Sequence, residues 1–158
     1  MTTKIKFNKL SALIYDYPDN IEIIKEHYLD LLTELTKTTE LDTNLFLENI
    51  KKINSMGTII VCYIENPSLC GFKIVASGTI IIEPKIIRGG RNIGHIEDIV
   101  VKSSYRGYQI CQDILDLLKI EAREKNCYKV ILDCENSIKK VYNRSGFEEK
   151  GIQMAIYF

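Results

Sequence analysis

Apolar positions change their spacing twice along this 158-residue chain. Leu10–Ile14 is a short apolar patch ahead of Tyr15, Tyr17 and Pro18, and reads as an edge strand running into a turn. Asp19 or Asn20 then caps a helix. In that helix Ile21, Ile24, Tyr28, Leu31, Leu32 and Leu35 recur at threes and fours, the period that buries one helical face. Its end, Leu35–Thr39, is polar and rich in hydroxyls. Asp42 caps a second helix with Leu45, Phe46, Ile50 and Ile53 inward, ending near Gly57. From Thr58 the pattern becomes that of strands. Thr58–Ile64 is one, Asn66–Gly71 a turn, and Phe72–Glu83 a longer strand rich in β-branched residues that Pro84 ends.

The second half begins with Lys85–Arg91, a loop with three cations and two glycines. From its residues alone it is equally a solvated hairpin tip or a place for an anion. Strand Ile93–Val101 and helix Gly107–Lys125 follow. Cys111, Ile114, Leu115, Leu118 and Ala122 form the helix's buried face, and Asn126 is a left-handed cap at its end. Tyr128–Cys134 reads as another strand, Ser137–Arg144 as a short helix broken by Gly146, and Phe147–Phe158 as one or two strands. There Ile152, Met154, Ile156 and Phe158 alternate with Gln153, Ala155 and Tyr157. The predicted order is β-α-α-β-β-β-α-β-α-β in one domain, an α+β (mixed α/β) fold whose central mixed sheet carries helices on both faces. A right-handed β-α-β crossover should run from Ile96 to Asp133.

Within that order, Gly94–Gln112 organises the chemistry. Strand, polar turn and helix N-terminus form the arrangement in which backbone N–H groups gather around a phosphate. Glu97 and Asp98 sit on the strand, upstream of Arg106 and Gly107. Ligands of open sheets lie beyond strand ends, so the turn and Asp133 should meet there.

Composition narrows the partners. Lys+Arg and Asp+Glu balance at 21 each, which argues against nucleic acid or an anionic membrane, so any phosphate recognition is local. No apolar stretch approaches a membrane span, and the first residues lack a signal-peptide core. Five cysteines (Cys62, Cys70, Cys111, Cys127 and Cys134) include no C-x-x-C pair and mostly sit in apolar runs, the pattern of reduced, buried thiols in a cytoplasmic protein. His27 and His95 lie far apart, so no metal is expected.

GHIEDIVV, Tyr105-Arg106-Gly107, Asn126–Cys134 (NCYKVILDC) and Tyr142 with Gly146-Phe147 together resemble the GNAT superfamily of N-acetyltransferases. Within it they resemble the eukaryotic glucosamine-6-phosphate N-acetyltransferases, over nearly the whole chain. The resemblance implies acetyl transfer from acetyl-CoA to the amine of an amino-sugar phosphate. It implies that Ile99, Val100 and Val101 meet the pantetheine arm, and that Arg106, Gly107, Tyr108, Gln109, Ile110, Cys111 and Gln112 cradle the pyrophosphate, with Asn136 as a further CoA contact. Glu97, Asp98 and Asp133 would first position the sugar, and one of them, directly or through water, would serve as base. Tyr142 would supply the proton to the departing thiolate. Thr36, Lys85 and Arg88 would complete the substrate side, in a homodimer that exchanges its C-terminal strand.

The chain departs from the family pattern at four positions. Gln109 and Cys111 stand where glycine or another small residue is usual, which predicts weaker or shifted CoA binding. Ile138 replaces a common asparagine. Tyr157 replaces an arginine that reaches the sugar phosphate, leaving that grip to Lys85, Arg88 or Arg91. Cys111 could also be read as a nucleophile, but direct transfer needs none and no histidine is placed to activate it. Competing readings are transfer to another amine, such as a polyamine or a protein N-terminus, and a non-catalytic acyl-CoA-binding module. Lys85 and Arg88 would repel a polyamine.

Overall fold

Side chains along Ile59–Ile64 alternate between two separate cores, so the central strands are apolar on both faces. The computed structural model describes residues 4–66 and 71–158. Its sheet has the order β1-β2-β3-β4-β5. Strands β1 (Ile5–Lys9), β2 (Gly57–Asn66), β3 (Gly71–Glu83) and β4 (Asn92–Val101) pair antiparallel in turn, and β5 (Cys127–Ile131) runs parallel to β4. Helices cover both faces, as expected. On one, α1 (Leu10–Asp16), α2 (Ile21–Leu32) and α3 (Thr43–Met56) bury Leu10, Leu13, Ile24, Leu31, Phe46 and Ile50 against Ile59, Val61, Phe72, Ile74 and Val100. On the other, α5 (Ile110–Glu124) lays Ile114, Leu115 and Leu118 over Ile60, Cys62, Ala76, Ile80 and Ile96.

Several expectations are corrected. Leu10–Ile14 is helix, not strand, and the edge strand precedes it. Leu10 and Leu13, both fully buried, stand three apart, a spacing that one helical face can bury together and strand alternation would split. Helix α2 stops at Leu32, leaving Leu35 exposed beyond it, and Asn20 makes no side-chain cap. Asp42 does cap α3, accepting from the N–H groups of Asn44 (2.9 Å) and Leu45 (3.2 Å). Phe46 and Ile50 face the core, while Leu45, one residue off that stripe, is exposed. The turn placed at Asn66–Gly71, with Cys70, falls on residues outside the described ones. The loop after Pro84 contains one helical turn, α4 (Ile87–Gly90), in which Arg88 is left-handed at φ 57°.

Helix α5 begins later than Gly107 because Gly107 (φ 87°) and Gln109 (φ 64°) are left-handed and cannot extend it. Asn126 is left-handed at φ 55°, as its place after that helix required. Strand β5 ends at Ile131, short of Cys134, and α6 (Lys139–Asn143) follows a 3-10 turn. The expected strands over Phe147–Phe158 are not formed, and Ile152, Met154, Ile156, Tyr157 and Phe158 are all exposed. Alternation provides a face, but a strand exists only through hydrogen bonds to a neighbour. Among the thiols of the described residues, Cys62 is buried and Cys111 and Cys127 half-buried, while Cys134 is exposed, which departs from the expectation of buried thiols.

One irregularity shapes the site. Ser77 pairs with Val100 and Thr79 with Glu97, so Gly78 of β3 opposes both Asp98 and Ile99 of β4. Asp98 takes φ 51° at this bulge.

Candidate active site

Strands β4 and β5 pair only from Asn92 with Cys127 to His95 with Ile131. Beyond that point β5 ends while β4 continues to Val101, leaving that edge of β4 open. A cavity of about 800 Å³ lies there. Its wall includes the predicted donor residues Ile99, Val100, Val101, Arg106, Gly107, Gln109, Ile110, Cys111 and Gln112, together with Tyr142. Two expected donor residues are not on it. Tyr108 is exposed, and Asn136 opens the 3-10 turn before α6 and is also exposed. Ile138, which stands in place of the family's usual asparagine, does line the cavity.

The wall suits a long, phosphate-bearing thioester. Its β4 side is apolar, and its far side is the N-terminus of α5, whose first N–H groups have no partner within the helix. A Cβ on Gly107 would meet nothing within 4 Å, so glycine serves there for its positive φ, not for space. At Gln109 a side chain is held left-handed, at a cost of about 1 kcal/mol. That cost gives a physical reason for the family's preference for glycine at this point.

Glu34 was missed by the sequence reading. Its carboxylate accepts from the N–H (3.3 Å) and hydroxyl (3.1 Å) of Ser103 and from Arg106 Nη2 (3.3 Å), tying the end of α2 to the phosphate turn. The Ser103 hydrogen bonds, then Arg106, hold its carboxyl below the ordinary range. Arg106 also donates from Nε to the Val101 carbonyl at 3.2 Å, so its guanidinium braces the turn from within. Lys102 pairs with Asp30 of α2 to add a second tie. The one sequence hint was position: Glu34 follows the first long helix, next to Leu35 and Thr36.

The acids sit at the bulge, outside the cavity wall. Glu97 and Asp98 are both exposed. Desolvation, then Asp98 and Asp133, pushes the Glu97 carboxyl above its ordinary range, while His95 opposes the shift. Asp133 therefore lies close enough to act on Glu97. It accepts from Gln153 Nε2 at 3.0 Å and, unlike Arg106 and Gly107 of the turn, is not on the cavity wall. Behind Asp98, Tyr28 is buried and receives a hydrogen bond from Ser77 at 3.3 Å.

Tyr142 is 8% exposed, packs edge-on against Phe147 with centroids 6.4 Å apart, and lines the cavity. Burial, then Cys111 and Cys134, pushes its phenol up to about 12, so it holds its proton at any physiological pH. Burial also raises the Cys111 thiol, which keeps it protonated and a poor nucleophile.

The remaining substrate residues are scattered. Thr36 is exposed, donates its N–H to Leu32 O at 3.1 Å, and adjoins the cavity through Leu35. Lys85 and Arg88 are not brought to the cavity. They lie past Glu83, which pairs with Ile93 at the opposite end of β4 from Val101, a span of roughly 25 Å at strand rise. There Lys85 is ion-paired with Glu83, and Arg88 lies 5.7 Å over the Tyr128 ring. Among the described residues no three metal-binding side chains cluster, and no helix is long and apolar enough to cross a membrane.

Residues 22–147 match the Acetyltransferase (GNAT) family. The chain belongs to this family. A glucosamine 6-phosphate N-acetyltransferase of Arabidopsis thaliana is 36% identical over 135 residues, which is 85% of this chain and 89% of that one. Another of that name from Trypanosoma brucei brucei is 38% identical over 131 residues, 82% of this chain and 86% of that one. The crystal structure of glucosamine-6-phosphate N-acetyltransferase from Arabidopsis thaliana superposes with a TM-score of 0.82 at 33% identity, covering 98% of this chain and 99% of that one. The mixed sheet, the open β4 edge and the turn before α5 are thus a GNAT fold. GNAT acetyltransferases take their acetyl group from acetyl-CoA, and the cavity's volume, apolar β4 wall and helix N-terminus fit that donor.

Proposed function

We propose that this chain transfers the acetyl group of acetyl-CoA to the amine of glucosamine 6-phosphate, giving N-acetylglucosamine 6-phosphate and CoA by direct attack in a ternary complex. The carrying observation is that plant and trypanosome relatives named for this activity align with 85% and 82% of the chain. The reaction would serve UDP-N-acetylglucosamine formation in the cytoplasm.

In this reading the donor lies along Ile99–Val101 with its pyrophosphate at Arg106–Gln112, chiefly on backbone N–H groups, since Arg106's side chain is already engaged. Tyr108 and Asn136, exposed beside the cavity, would serve only at its mouth. Bound acetyl-CoA supplies the thioester carbonyl that the amine attacks. Glu97, Asp98 and Asp133 orient the sugar. Glu97, whose carboxyl is pushed up by desolvation and its acidic neighbours, accepts the amine's proton directly or through water. Tyr142, still protonated, gives a proton or a hydrogen bond to the leaving thiolate. Thr36 contacts the sugar, and Lys85 and Arg88 grip its phosphate.

Lys85 and Arg88 lie far from the cavity of their own chain, which favours a homodimer in which one subunit's cations complete its partner's site. An exchanged C-terminal strand is supported by two features: β5 is a sheet edge, and the Ile152–Phe158 side chains are exposed.

The deciding experiment is thiol release from acetyl-CoA with glucosamine 6-phosphate, glucosamine, spermidine or no acceptor. Release that strongly prefers the phosphorylated sugar is expected. Preference for spermidine would move the chain to another GNAT acceptor. Donor binding without release would make it an acyl-CoA-binding module, a reading favoured only by Gln109 and Ile138.

A further inference from the structure

We propose that Glu83 and His95 form a protonation-dependent counter-charge for Lys85, so that the acceptor's phosphate is held more tightly when His95 carries a proton. The inference rests on the sugar-phosphate acceptor proposed above and adds two positioning residues to it. Glu83 closes β3, and its Oε2 lies 2.6 Å from His95 Nε2. Its other oxygen accepts from the Lys85 ammonium. One carboxylate thus serves two side chains. With neutral imidazole, Glu83 and Lys85 cancel, and that pair offers an approaching phosphate no net charge. With imidazolium the same three groups carry one positive charge, and Glu83 is divided between two cations.

Other charges face His95 from each neighbouring strand. On β4 itself Glu97 stands two residues away on the same face. From β3 come Glu83 and, beyond it, Lys85. Ile131 of β5 is in register with His95; Lys129 stands two residues before Ile131 on β5, and Asp133 two residues after it, past the strand's end. Glu83 stays ionised, since Lys85 first and His95 second hold its carboxyl below the ordinary range. The 2.6 Å contact between the imidazole and this carboxylate is one that a proton on the ring strengthens. Lys85, Glu83 and His95 keep 29%, 42% and 34% of their side-chain surface exposed, so phosphate can reach them and water screens them. The expected effect is therefore modest, about three- to tenfold in KM.

The test measures kcat and KM for glucosamine 6-phosphate and for glucosamine between pH 6 and 8. It compares the natural protein, His95→Gln and Glu83→Gln. The phosphate's own second ionisation acts on all three proteins alike, so the comparison isolates the cluster. In the natural protein, the preference for the phosphorylated sugar should fall with rising pH by about three- to tenfold relative to either variant. Both kcat and the acetyl-CoA KM should stay within about twofold. Parallel pH profiles in the three proteins, or a loss confined to kcat, would overturn the proposal. Glu83→Gln, an isosteric change, keeps the test decisive if His95→Gln folds poorly. Acetylation of both sugars with parallel profiles removes only the role of His95 and Glu83. No acetylation of either sugar removes the acceptor assignment, and this inference with it.

Discussion

At the scale of single residues, the proton inventory is set by environment. Tyr142 and Cys111 are kept neutral by burial, Glu97 is raised by desolvation and neighbouring acids, and Glu34 is lowered by its hydrogen bonds. Tyr142→Phe should lower kcat about 10²-fold, the low end for a lost general acid, with both KM values within about twofold. Steady-state kinetics check it, and equal turnover in the variant would remove the leaving-group role. Because burial pushes the Tyr142 phenol up to about 12, an alkaline fall in rate at pH 8–9 should not be its ionisation. Glu97 gives the opposite sign at low pH. A raised carboxyl must lose its proton to act as base, so it contributes an acidic limb displaced above the ordinary carboxylate range. Most of the cavity wall was legible in the sequence, because Ile99–Val101, Arg106–Gly107 and Tyr142 sit in fixed spacings around a strand-turn-helix. Glu34 was not, because its partners Ser103 and Arg106 lie 69 and 72 residues away, and no local pattern encodes that contact.

At the scale of elements, helices and strands were legible wherever one face is buried, and ambiguous wherever the partner was unknown. The apolar runs of β2, β3 and β4 and the stripes of α2, α3 and α5 declare themselves by period. Leu10–Ile14 is too short for period to decide, and tertiary burial made it helix. The left-handed turn at Gln109 was hidden because a non-glycine residue occupies it. Gly78 shows how closely α5 and the bulge are fitted. A Cβ there would stand 2.5 Å from Ile99 Cδ1, 2.7 Å from Ile114 Cγ2 and 3.1 Å from Leu118 Cδ1. Gly78→Val should therefore destabilise by about 1–3 kcal/mol through overpacking. It should also raise the acetyl-CoA KM by displacing Ile99, which lines the cavity. Urea unfolding and donor titration check both, and an unchanged midpoint would mean that the core yields at no cost.

At the scale of the whole molecule, Ile152, Met154, Ile156, Tyr157 and Phe158 form one exposed apolar run, the kind of surface that marks a contact site. The assembly proposed above predicts twice the chain mass in sedimentation at micromolar concentration. Replacing Ile152, Met154 and Ile156 together by serine should lower both the mass and the turnover with the phosphorylated sugar. A fully active monomer would rule out a shared site. The fold class was readable without any of this, since both faces of the sheet announce their helices. The assembly was not, since alternation at Ile152–Phe158 names a face and leaves its neighbour unspecified.

The ties from Asp30 and Glu34 to Lys102, Ser103 and Arg106 carry a consequence for how changes here are interpreted. They join the helical layer on one face of the sheet to the turn that opens the helix on the other. With the donor held at that turn as proposed, folding of that layer and donor capture should be thermodynamically linked, each drawing on the same few polar contacts. A substitution at the end of α2, outside the chemistry, is felt twice, once as stability and once as affinity. Neither quantity measured alone would separate the two.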